Sequence, residues 1–576
     1  MGELRSRRRE MLRLLLGAPF AAKLLACEGA PPPQPPEGAL LGPDHRLGHR
    51  LREPPPREAW RDAPTRRVPV AIVGGGPAGL SAGWRLLRRG ERDFRLFELE
   101  PALGGTSRSG ESALTRYPWG AHYLPVPPTS NVDLRGLLVE MGAFHRSEPA
   151  ERLLVREPES RVFYRGFWYP GLYPWAGASE EDLAQLARFE ARVAAQVEAF
   201  QIPSARSARD PAHLALDRLS AAQWLDEGGF TSPRLRWLAR YACRDDYGLE
   251  LEETSAWAFV FYWAARAARP EQALEGSEVL TWPEGNGAIV EHLAGVIGDR
   301  VETGRAVVHV HETPEGVQLL LLRADGETRE RVVADHAILA VPRFVAARLA
   351  PELGLELDGY EVGAWAVANL HLRGRPPGRG APPAWDNVLY DSPALGYVTA
   401  THQRGRDFGP TVWTWYLPFT DADAEAGRRR LFEAEHADLA DAVLADLRRP
   451  HPELDEHVER VDVWRWGHAM VQPRVGFLRD GARFEDGRPR GHVHLAHSDL
   501  SGLALFEEAF FHGVRAADEV WDIRRGAVFQ IGEGAADEAG EEATGGAAEA
   551  TEPAAEPATE DATEASGATT GAEEPA

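Results

Sequence analysis

Three glycines and one acidic residue early in the central region have the spacing that a nucleotide-binding turn requires. Residues 74–79 read GGGPAG, which fits the pattern G-x-G-x-x-G, and Glu98 follows 24 residues after Gly74. In such a turn the first glycine makes the bend, the second lets the backbone approach a pyrophosphate, and the third lets a helix pack on a strand. The acid accepts hydrogen bonds from ribose hydroxyls. The spacing therefore predicts a dinucleotide site formed by Gly74, Gly76, Pro77, Ala78, Gly79 and Glu98.

The elements that must position these residues are also visible in the sequence. Residues 68–73 read VPVAIV, a run typical of a buried parallel strand, and they lead directly into the glycine turn. A helix is predicted from Ala78 to Arg89, with Gly90 as its C-cap, and FRLFEL at residues 94–99 predicts the second strand. A glycine-rich turn that binds nothing is the alternative. The order of strand, turn, helix, strand and acid favours nucleotide binding.

Several further segments follow along the chain. They are LEPALGGTSRSG (99–110), YPWGAHYL (117–124), TWPEGNGAIVEHL (281–293), VETGRAVVHV (301–310), ADHAILAVP (334–342) and HLAHSDLSGLALFEEAFFHGVRAADEV (494–520). In composition and order they resemble the flavoproteins of the amine oxidase, protoporphyrinogen oxidase and phytoene desaturase superfamily. The resemblance implies FAD rather than NAD as the cofactor. It also implies further FAD contacts from Gly104, Gly105, Thr106, Gly120, Ala121, the backbone of Val307 and Asp499.

Three positions depart from the pattern of that superfamily. Thr106 stands where an arginine often follows the glycine pair. His497-Ser498 stands where a glycine is expected before Asp499, and Glu508 replaces the glycine of an E-G-A motif. These departures indicate a divergent branch.

The resemblance implies an α/β fold in which a doubly wound, Rossmann-like FAD domain is interleaved with an α+β substrate domain. The expected FAD domain comprises residues 68–125, 281–345 and 485–528. The expected substrate domain comprises a helical part, 126–280, and a strand-rich part, 346–484.

The resemblance also implies an FAD-dependent oxidoreductase that removes a hydride from a small, apolar organic substrate. Amine oxidases of the superfamily use a lysine that holds a water against the flavin, but Lys23 is the only lysine of this chain. We therefore expect dehydrogenation of a C–C bond or a ring rather than amine oxidation. His122 and His468 are the candidate catalytic side chains, with a packing role as the alternative for each. The electron acceptor, O2 or a quinone, stays open.

Two alternatives use the same scaffold: a flavin-dependent isomerase, and a non-catalytic protein that binds FAD or another nucleotide. Composition narrows the possible partners. The formal charge of −24 argues against nucleic acid, which requires a basic surface. The two cysteines are too few for a thiolate metal site, and no metal is predicted.

The two ends of the chain are expected to lie outside the folded body. Residues 1–27 have the layout of a bacterial export signal, in which Arg8-Arg9 resembles a twin-arginine motif and Leu24–Cys27 resembles a lipobox. A spanning anchor or a frayed helix is the alternative. Processing would leave a protein exported to the periplasm or cell envelope and attached to the membrane only by a lipid on Cys27. Residues 28–67 are expected to form a Pro-rich linker, and residues 529–576, with 13 acidic and no basic residues, a disordered tail.

Overall fold

The apolar strand segments assemble into two large sheets in a computed structural model that describes residues 36–267, 278–421 and 423–526. The predicted export signal and acidic tail lie outside the described residues. The strands, numbered in chain order, are β1 Leu40–Leu41, β2 Thr65–Val73, β3 Phe94–Phe97, β4 Ser109–Glu111, β5 Arg116–Pro118, β6 Tyr123–Pro125, β7 Phe144–His145, β8 Glu148–Pro149, β9 Ser160–Tyr164, β10 Phe167–Pro170, β11 Val279–Thr281, β12 Val301–Glu302, β13 Arg305–Thr313, β14 Gly316–Arg323, β15 Arg329–Leu339, β16 Val362–Leu372, β17 Asp386–Leu389, β18 Tyr397–Thr399, β19 Thr411–Pro418, β20 Val458–Val471 and β21 Val493–Leu495.

The α-helices lie between these strands. They are α1 His45–Gly48, α2 Pro77–Arg89, α3 Val132–Glu140, α4 Glu180–Ala194, α5 Pro211–Ala215, α6 Ala221–Glu227, α7 Pro233–Tyr247, α8 Ala256–Ala264, α9 Gly287–Ile297, α10 Arg343–Leu349, α11 Ala424–Glu433, α12 His436–Leu447 and α13 Phe506–Arg524. Within the described ranges, no helix has the length and apolar character needed to cross a bilayer.

The first sheet is the predicted doubly wound one. Its strand order is β12-β3-β2-β15-β14-β13, and β21 pairs with β15. Strands β12, β3, β2, β15 and β21 run parallel, whereas β14 and β13 form an antiparallel extension. The register aligns Val73 with Phe97 and with Leu339, so the carboxyl ends of three parallel strands meet at one edge. That edge is where open α/β sheets bind ligands, and the predicted fold class is confirmed.

The second sheet has eight strands in the order β1-β20-β16-β19-β18-β17-β9-β10. Strands β9 and β10 come from residues 126–280, which the sequence analysis described as helical. They form a hairpin because Arg165 and Gly166 both take positive φ at its tip, 50° and 87°. The remainder of that region is helical, with a core that includes Phe189, Trp224 and Phe259.

The prediction that residues 28–67 form a linker is wrong for residues 36–67, the part of this range that the structure describes. Residues 36–64, called the strap below, pack across both sheets: Leu40 pairs with Val463 in β20, while Trp60 is buried against β14. Trp60 is 1% exposed, and its Nε1 donates to the Leu321 carbonyl at 3.3 Å. The prolines suggested a solvated tether, but a few apolar side chains among them are enough to dock the segment.

Truncation of the strap's main anchor should destabilise the fold. We expect Trp60→Ala to lower the free energy of unfolding by about 3–5 kcal/mol, because it leaves a cavity in place of a buried indole. The matched control is Trp175→Ala, which removes an indole that is 51% exposed and should cost less than about 1 kcal/mol. Denaturant midpoints of both variants check this, and equal shifts would contradict a docked strap.

Candidate functional site

The glycines of the turn after β2 have two different structural roles. Gly74 has φ +105°, and a Cβ on Gly79 would lie 1.9 Å from the Gly74 carbonyl oxygen, so both glycines are needed for the fold itself. Gly76 differs, because a Cβ there would only touch the Cα of Gly105, 4.0 Å away, at an ordinary van der Waals distance. The fold itself therefore does not require a glycine at this position.

The second glycine pair packs against this turn. The Gly104 N–H donates to the Gly75 carbonyl at 2.9 Å, and Gly104 and Gly105 take positive φ of 113° and 53°. Gly105 consequently packs against Gly76, and we call the backbone surface without side chains that these two glycines form the cradle. Helix α2 begins at Pro77 with no side-chain cap on its first turn, so backbone donors there are available to a phosphate.

The predicted adenosine contacts lie together beside the cradle. Glu98 accepts from the Gly75 N–H at 2.6 Å and from the Glu100 N–H at 2.8 Å, and burial raises the pKa of its carboxyl. The Arg305 N–H donates to the Glu98 carbonyl at 2.8 Å, which brings the start of β13 to the same place. The pairing of β13 with β14 is irregular between Val307 and His309. The regular strand pairing is therefore interrupted at Val307, where the adenine contact is predicted.

Arg108 is a site residue that the sequence analysis missed. Its side chain is 11% exposed, lies 3.5 Å from Glu100, and has an Nε with no hydrogen-bond partner among the described residues. Thr106 has replaced the arginine that often follows the glycine pair, and Arg108 supplies a guanidinium two positions later. The signal was present in the sequence as an arginine displaced by two residues.

The segments predicted to meet the flavin converge on the Gly120-Ala121 turn. The Ala121 N–H donates to the Thr106 carbonyl at 3.0 Å, and the Tyr416 hydroxyl donates to the Gly120 carbonyl at 3.0 Å. The Asn286 N–H donates to the Ala121 carbonyl at 3.1 Å. The Asn286 side chain is 1% exposed, yet its Oδ1 has no partner among the described residues. A buried acceptor of this kind indicates a missing ligand or water.

Asp499, for which the resemblance implies an FAD contact, is buried just after β21 of the parallel sheet. Its Oδ2 accepts from the Arg343 N–H at 2.9 Å, and its own N–H donates to His497 Nδ1 at 3.1 Å. Burial opposes the charge, but His497 and the Arg343 N–H hold the pKa of Asp499 below its usual value. The carboxylate is therefore charged at neutral pH, and its backbone donor is already engaged.

Glu508, the departure from the superfamily glycine, is fully buried and fully paired. It accepts from the Ser204 N–H at 2.6 Å, the Ser204 hydroxyl at 3.1 Å and the Ser501 hydroxyl at 2.6 Å. Burial raises its pKa. The side chain thus joins the first turn of α13 to a loop of the helical region.

His122 lies in an internal chamber next to the Gly120-Ala121 turn. The chamber is defined by residues that lie deep in the molecule yet keep accessible surface: His122, Tyr123, Asp245, Tyr262 and Asp386. The His122 ring lies 4.9 Å from that of Tyr416 and 5.4 Å from that of Trp385. Burial lowers the pKa of His122 to about 4, so the imidazole is neutral at pH 7.

The other candidate histidine does not belong to this chamber. His468 stacks on Phe344 at 4.7 Å, and burial with the nearby Arg428, His49 and Arg348 lowers its pKa to about 4. None of these neighbours is a chamber residue, so the prediction of a catalytic role for His468 is not supported. Its position on β20 beside the strap follows from long-range packing that the local sequence does not reveal.

The residues present fit FAD. The cradle formed by Gly76 and Gly105 presents backbone without side chains to a pyrophosphate, and uncapped N-termini of α2 and α13 supply backbone donors. Among the described residues, Arg108 Nε and Asn286 Oδ1 are buried polar atoms without a hydrogen-bond partner. The site therefore offers the cofactor both donors and acceptors.

Comparison with known proteins agrees with this fit. The sequence model of the family described as flavin containing amine oxidoreductase matches residues 77–521. The amine oxidase [flavin-containing] B of Bos taurus is 26% identical over 290 residues, 49% of this chain and 51% of that protein. The chain thus spans about half the length of the curated relatives it matches.

Solved structures share the fold over a longer range. A triple mutant of a putrescine oxidase with redesigned cofactor binding matches with a TM-score of 0.60 and 19% identity, covering 80% of this chain and 100% of that one. A fatty acid isomerase from P. acnes matches with a TM-score of 0.56 and 15% identity, covering 78% of this chain and 98% of that one. At these identities the similarity concerns the fold alone.

Two glycine variants should separate cofactor binding from folding. We expect Gly76→Ala to keep the stability of the flavin-free protein within about 1 kcal/mol, since its Cβ would make only an ordinary contact with Gly105, but to weaken FAD binding at least tenfold. Gly79→Ala should lower the stability of the flavin-free protein, because its Cβ overlaps the Gly74 carbonyl. Flavin titrations and thermal midpoints give both quantities. Full FAD occupancy in Gly76→Ala would show that the cradle is an ordinary turn.

Proposed function

The chain belongs to the flavin-containing amine oxidoreductase family, and on this basis we propose that it is an FAD-dependent oxidoreductase acting on a small substrate in the chamber. The observation that carries the proposal is the hydrogen bond from the Ala121 N–H to the Thr106 carbonyl, 3.0 Å. It joins the cradle, where the pyrophosphate would lie, to the wall of the chamber that contains His122. A cofactor whose pyrophosphate lies at the cradle would therefore extend towards the chamber.

Each part of the site has its own task in this proposal. Gly76, Gly105 and the first turn of α2 would hold the pyrophosphate, with Glu98 on the ribose and Arg108 beside the phosphates. When bound, FAD supplies a two-electron acceptor that takes a hydride. The aromatic walls formed by Tyr416 and Trp385 would exclude water and orient the substrate carbon. His122 is neutral, so it would contribute shape and a hydrogen-bonding nitrogen rather than charge.

The bond that loses hydrogen is proposed to be a C–C or ring bond. Lys23 is the only lysine of the chain and belongs to the predicted export signal, so the lysine-held water of amine oxidases has no counterpart in the body. Amine oxidation is the second candidate, and a different observation favours it. Asp245 and Asp386 have no basic partner of their own among the described residues, and carboxyl groups in a chamber suit an ammonium substrate.

Anaerobic reduction of the flavin tests the proposal. Purified yellow protein should lose its visible flavin band when mixed with one class of a panel that contains saturated cyclic compounds and amines, without any added reductant. Both reactions first remove 2 Da, but mass spectra of the final products distinguish them. The alkene from a C–C dehydrogenation is stable in water, whereas the imine from an amine is hydrolysed to a carbonyl compound with release of ammonia or an amine. Reoxidation by O2 or by a quinone identifies the acceptor.

The negative outcome of this experiment is equally informative. Protein that binds FAD and is bleached by dithionite, but by no compound of the panel, would contradict the oxidoreductase proposal. A compound that is isomerised only after the flavin has been reduced would then support the isomerase alternative, for which the fold of the P. acnes enzyme offers a precedent.

We also propose that the protein is exported and lipid-anchored, although residues 1–27 lie outside the described residues. The parallel sheet draws its strands from three separated segments, so the domain must assemble around FAD before it crosses a membrane. The twin-arginine route carries folded cargo, which agrees with Arg8-Arg9. A periplasmic or cell-envelope location at a membrane would also place quinones within reach.

Cell fractionation of the wild-type protein and two variants tests this location. We expect a variant with Arg8→Lys and Arg9→Lys to accumulate in the cytoplasm with FAD bound, and Cys27→Ala to be exported but soluble. Wild-type protein should be found with the membranes. Wild-type protein confined to the cytoplasm with an intact N-terminus would refute both parts of the proposal.

A further inference from the structure

Residues 45–52 of the strap form a short helical segment with an apolar inner side and a basic outer side. Helix α1 runs directly into a 3₁₀ turn that ends at Arg52. Leu47 and Leu51, four residues apart, turn inward and pack on apolar side chains of β13 and β14. The segment contains no acidic residue, and its exposed arginines are Arg46, Arg50 and Arg52.

These three arginines differ from others nearby because they have no carboxylate partner among the described residues. Arg57, in the same strap, pairs with Glu352, and Arg67 in β2 pairs with Asp335 at 2.6 Å. In the run itself, Arg52 Nη2 lies 3.4 Å from His49 Nε2, a contact that leaves its charge uncompensated. The chain as a whole has a formal charge of −24, so this is a local excess of cations on an acidic protein.

Two neighbouring elements extend the same basic surface. Helix α10 packs against the 3₁₀ turn, and its exposed Arg348 donates from Nη1 to the Phe344 carbonyl at 3.0 Å. Arg465 in β20 donates from Nη1 to the Phe432 carbonyl at 2.8 Å. Within the described part of the chain, neither arginine forms an ion pair with a carboxylate. Both are held in place by backbone carbonyls, so their positive charges stay available.

An exposed aromatic ring lies among these cations. Phe432, near the end of α11, is 56% exposed. The His45 ring contacts it edge-on, with ring centres 5.3 Å apart, and the Arg465 guanidinium lies 5.7 Å from its centre. We call this surface the basic face; it comprises Arg46, Arg50, Arg52, Arg348, Arg465 and Phe432. An apolar ring surrounded by unpaired cations is typical of a surface that binds at the headgroup level of a membrane.

From these contacts we infer that the basic face binds a bilayer containing anionic phospholipids, with Arg46, Arg50 and Arg52 on the headgroup phosphates and Phe432 between the headgroups. A guanidinium suits this role because it donates two parallel hydrogen bonds to a phosphate. The remaining surface is strongly acidic and is repelled by an anionic bilayer, so the molecule approaches with its strap side. The position of the strap in the chain agrees with this occupant, since the polypeptide enters the folded body there.

The inference goes beyond the proposed function because it assigns a lipid-binding surface and an orientation on the membrane. It does not depend on which bond the flavin oxidises. It also does not require a lipid on Cys27, because the contacts that carry it belong to the folded body. A loss of membrane contact at the basic face would therefore leave the oxidoreductase proposal untouched.

Fluorescence quenching on vesicles tests the inference in the FAD-loaded, full-length protein. A red fluorophore is attached to a Glu433→Cys variant, beside Phe432, or to a Glu190→Cys variant, at an exposed glutamate of α4. Both variants also carry Cys27→Ala, so that no acyl chain contributes, and Cys243 is 1% exposed and does not react. The vesicles contain a phosphatidylcholine with a nitroxide on its headgroup, with or without phosphatidylglycerol.

We expect quenching at position 433 on vesicles with phosphatidylglycerol, an affinity about tenfold lower without it, and release of the protein at high salt. The fluorophore at position 190 should stay unquenched on the same vesicles. No quenching at position 433, or equal quenching at both positions, would overturn the inference. Binding of an acidic polymer such as heparin without binding of any vesicle would overturn it as well.

Charge-neutral variants then identify the arginines that make the contact. Replacing Arg46, Arg50 and Arg52 together by Gln should weaken binding to phosphatidylglycerol vesicles at least tenfold. The matched control replaces three exposed arginines outside the basic face, Arg92, Arg379 and Arg406, by Gln and should leave this affinity unchanged. Both triple variants should keep the flavin spectrum and the thermal midpoint of the parent protein. Equal vesicle affinities of the two triple variants would overturn the assignment to the strap.

Discussion

Backbone contacts that only glycine allows determine how this molecule is assembled around its expected cofactor. Gly79 lies against the carbonyl of Gly74, which brings α2 onto the parallel sheet. Gly513 lies against a carbonyl in the first turn of α2, where a Cβ would be 2.2 Å from the oxygen, and this brings α13 onto α2. The first turn of α13 then holds Glu508, which bonds to Ser204 in the helical region. Helices α2 and α13, which carry glycines where they make their closest contacts, thus connect the nucleotide end of the site to the substrate end.

The departures from the superfamily pattern are accompanied by partners for the new side chains. Glu508 would be an uncompensated buried acid without the hydroxyls of Ser204 and Ser501. His497 lies 3.0 Å from Asp499, whose carboxylate it keeps charged. Thr106 replaces an arginine, and Arg108 provides a guanidinium nearby. The chain has therefore exchanged groups within an intact architecture, which differs from the decay expected of a site that no longer binds anything.

Local sequence was sufficient for the features that depend on neighbours in the chain. The strand, glycine turn and helix around Gly76 are encoded within about 30 residues, and the structure reproduces them with the helix at Pro77–Arg89. Features that depend on contacts between distant residues could not be predicted from the local sequence. The register of Leu40 with Val463 joins residues more than 400 positions apart, and Trp60 is buried against Leu321 of β14, 261 positions away. The sequence analysis did not single out Asp386, because its nearness to Asp245 and Glu159 arises from contacts between distant segments of the chain.

The docked strap would limit how far the folded body could move from a membrane under the proposed lipid anchor on Cys27. A tether of 40 residues would let the body diffuse through a wide volume above the lipid surface. With residues 36–64 packed, nine Cα–Cα steps at most separate Cys27 from the packed strap, and at about 3.5 Å each they reach no farther than roughly 32 Å. A lipid on Cys27 would then hold the body close to the membrane surface, with a restricted set of orientations. Lateral encounters with membrane-dissolved molecules would become effectively two-dimensional, and reaction rates would depend on their surface density rather than on their concentration in the surrounding water.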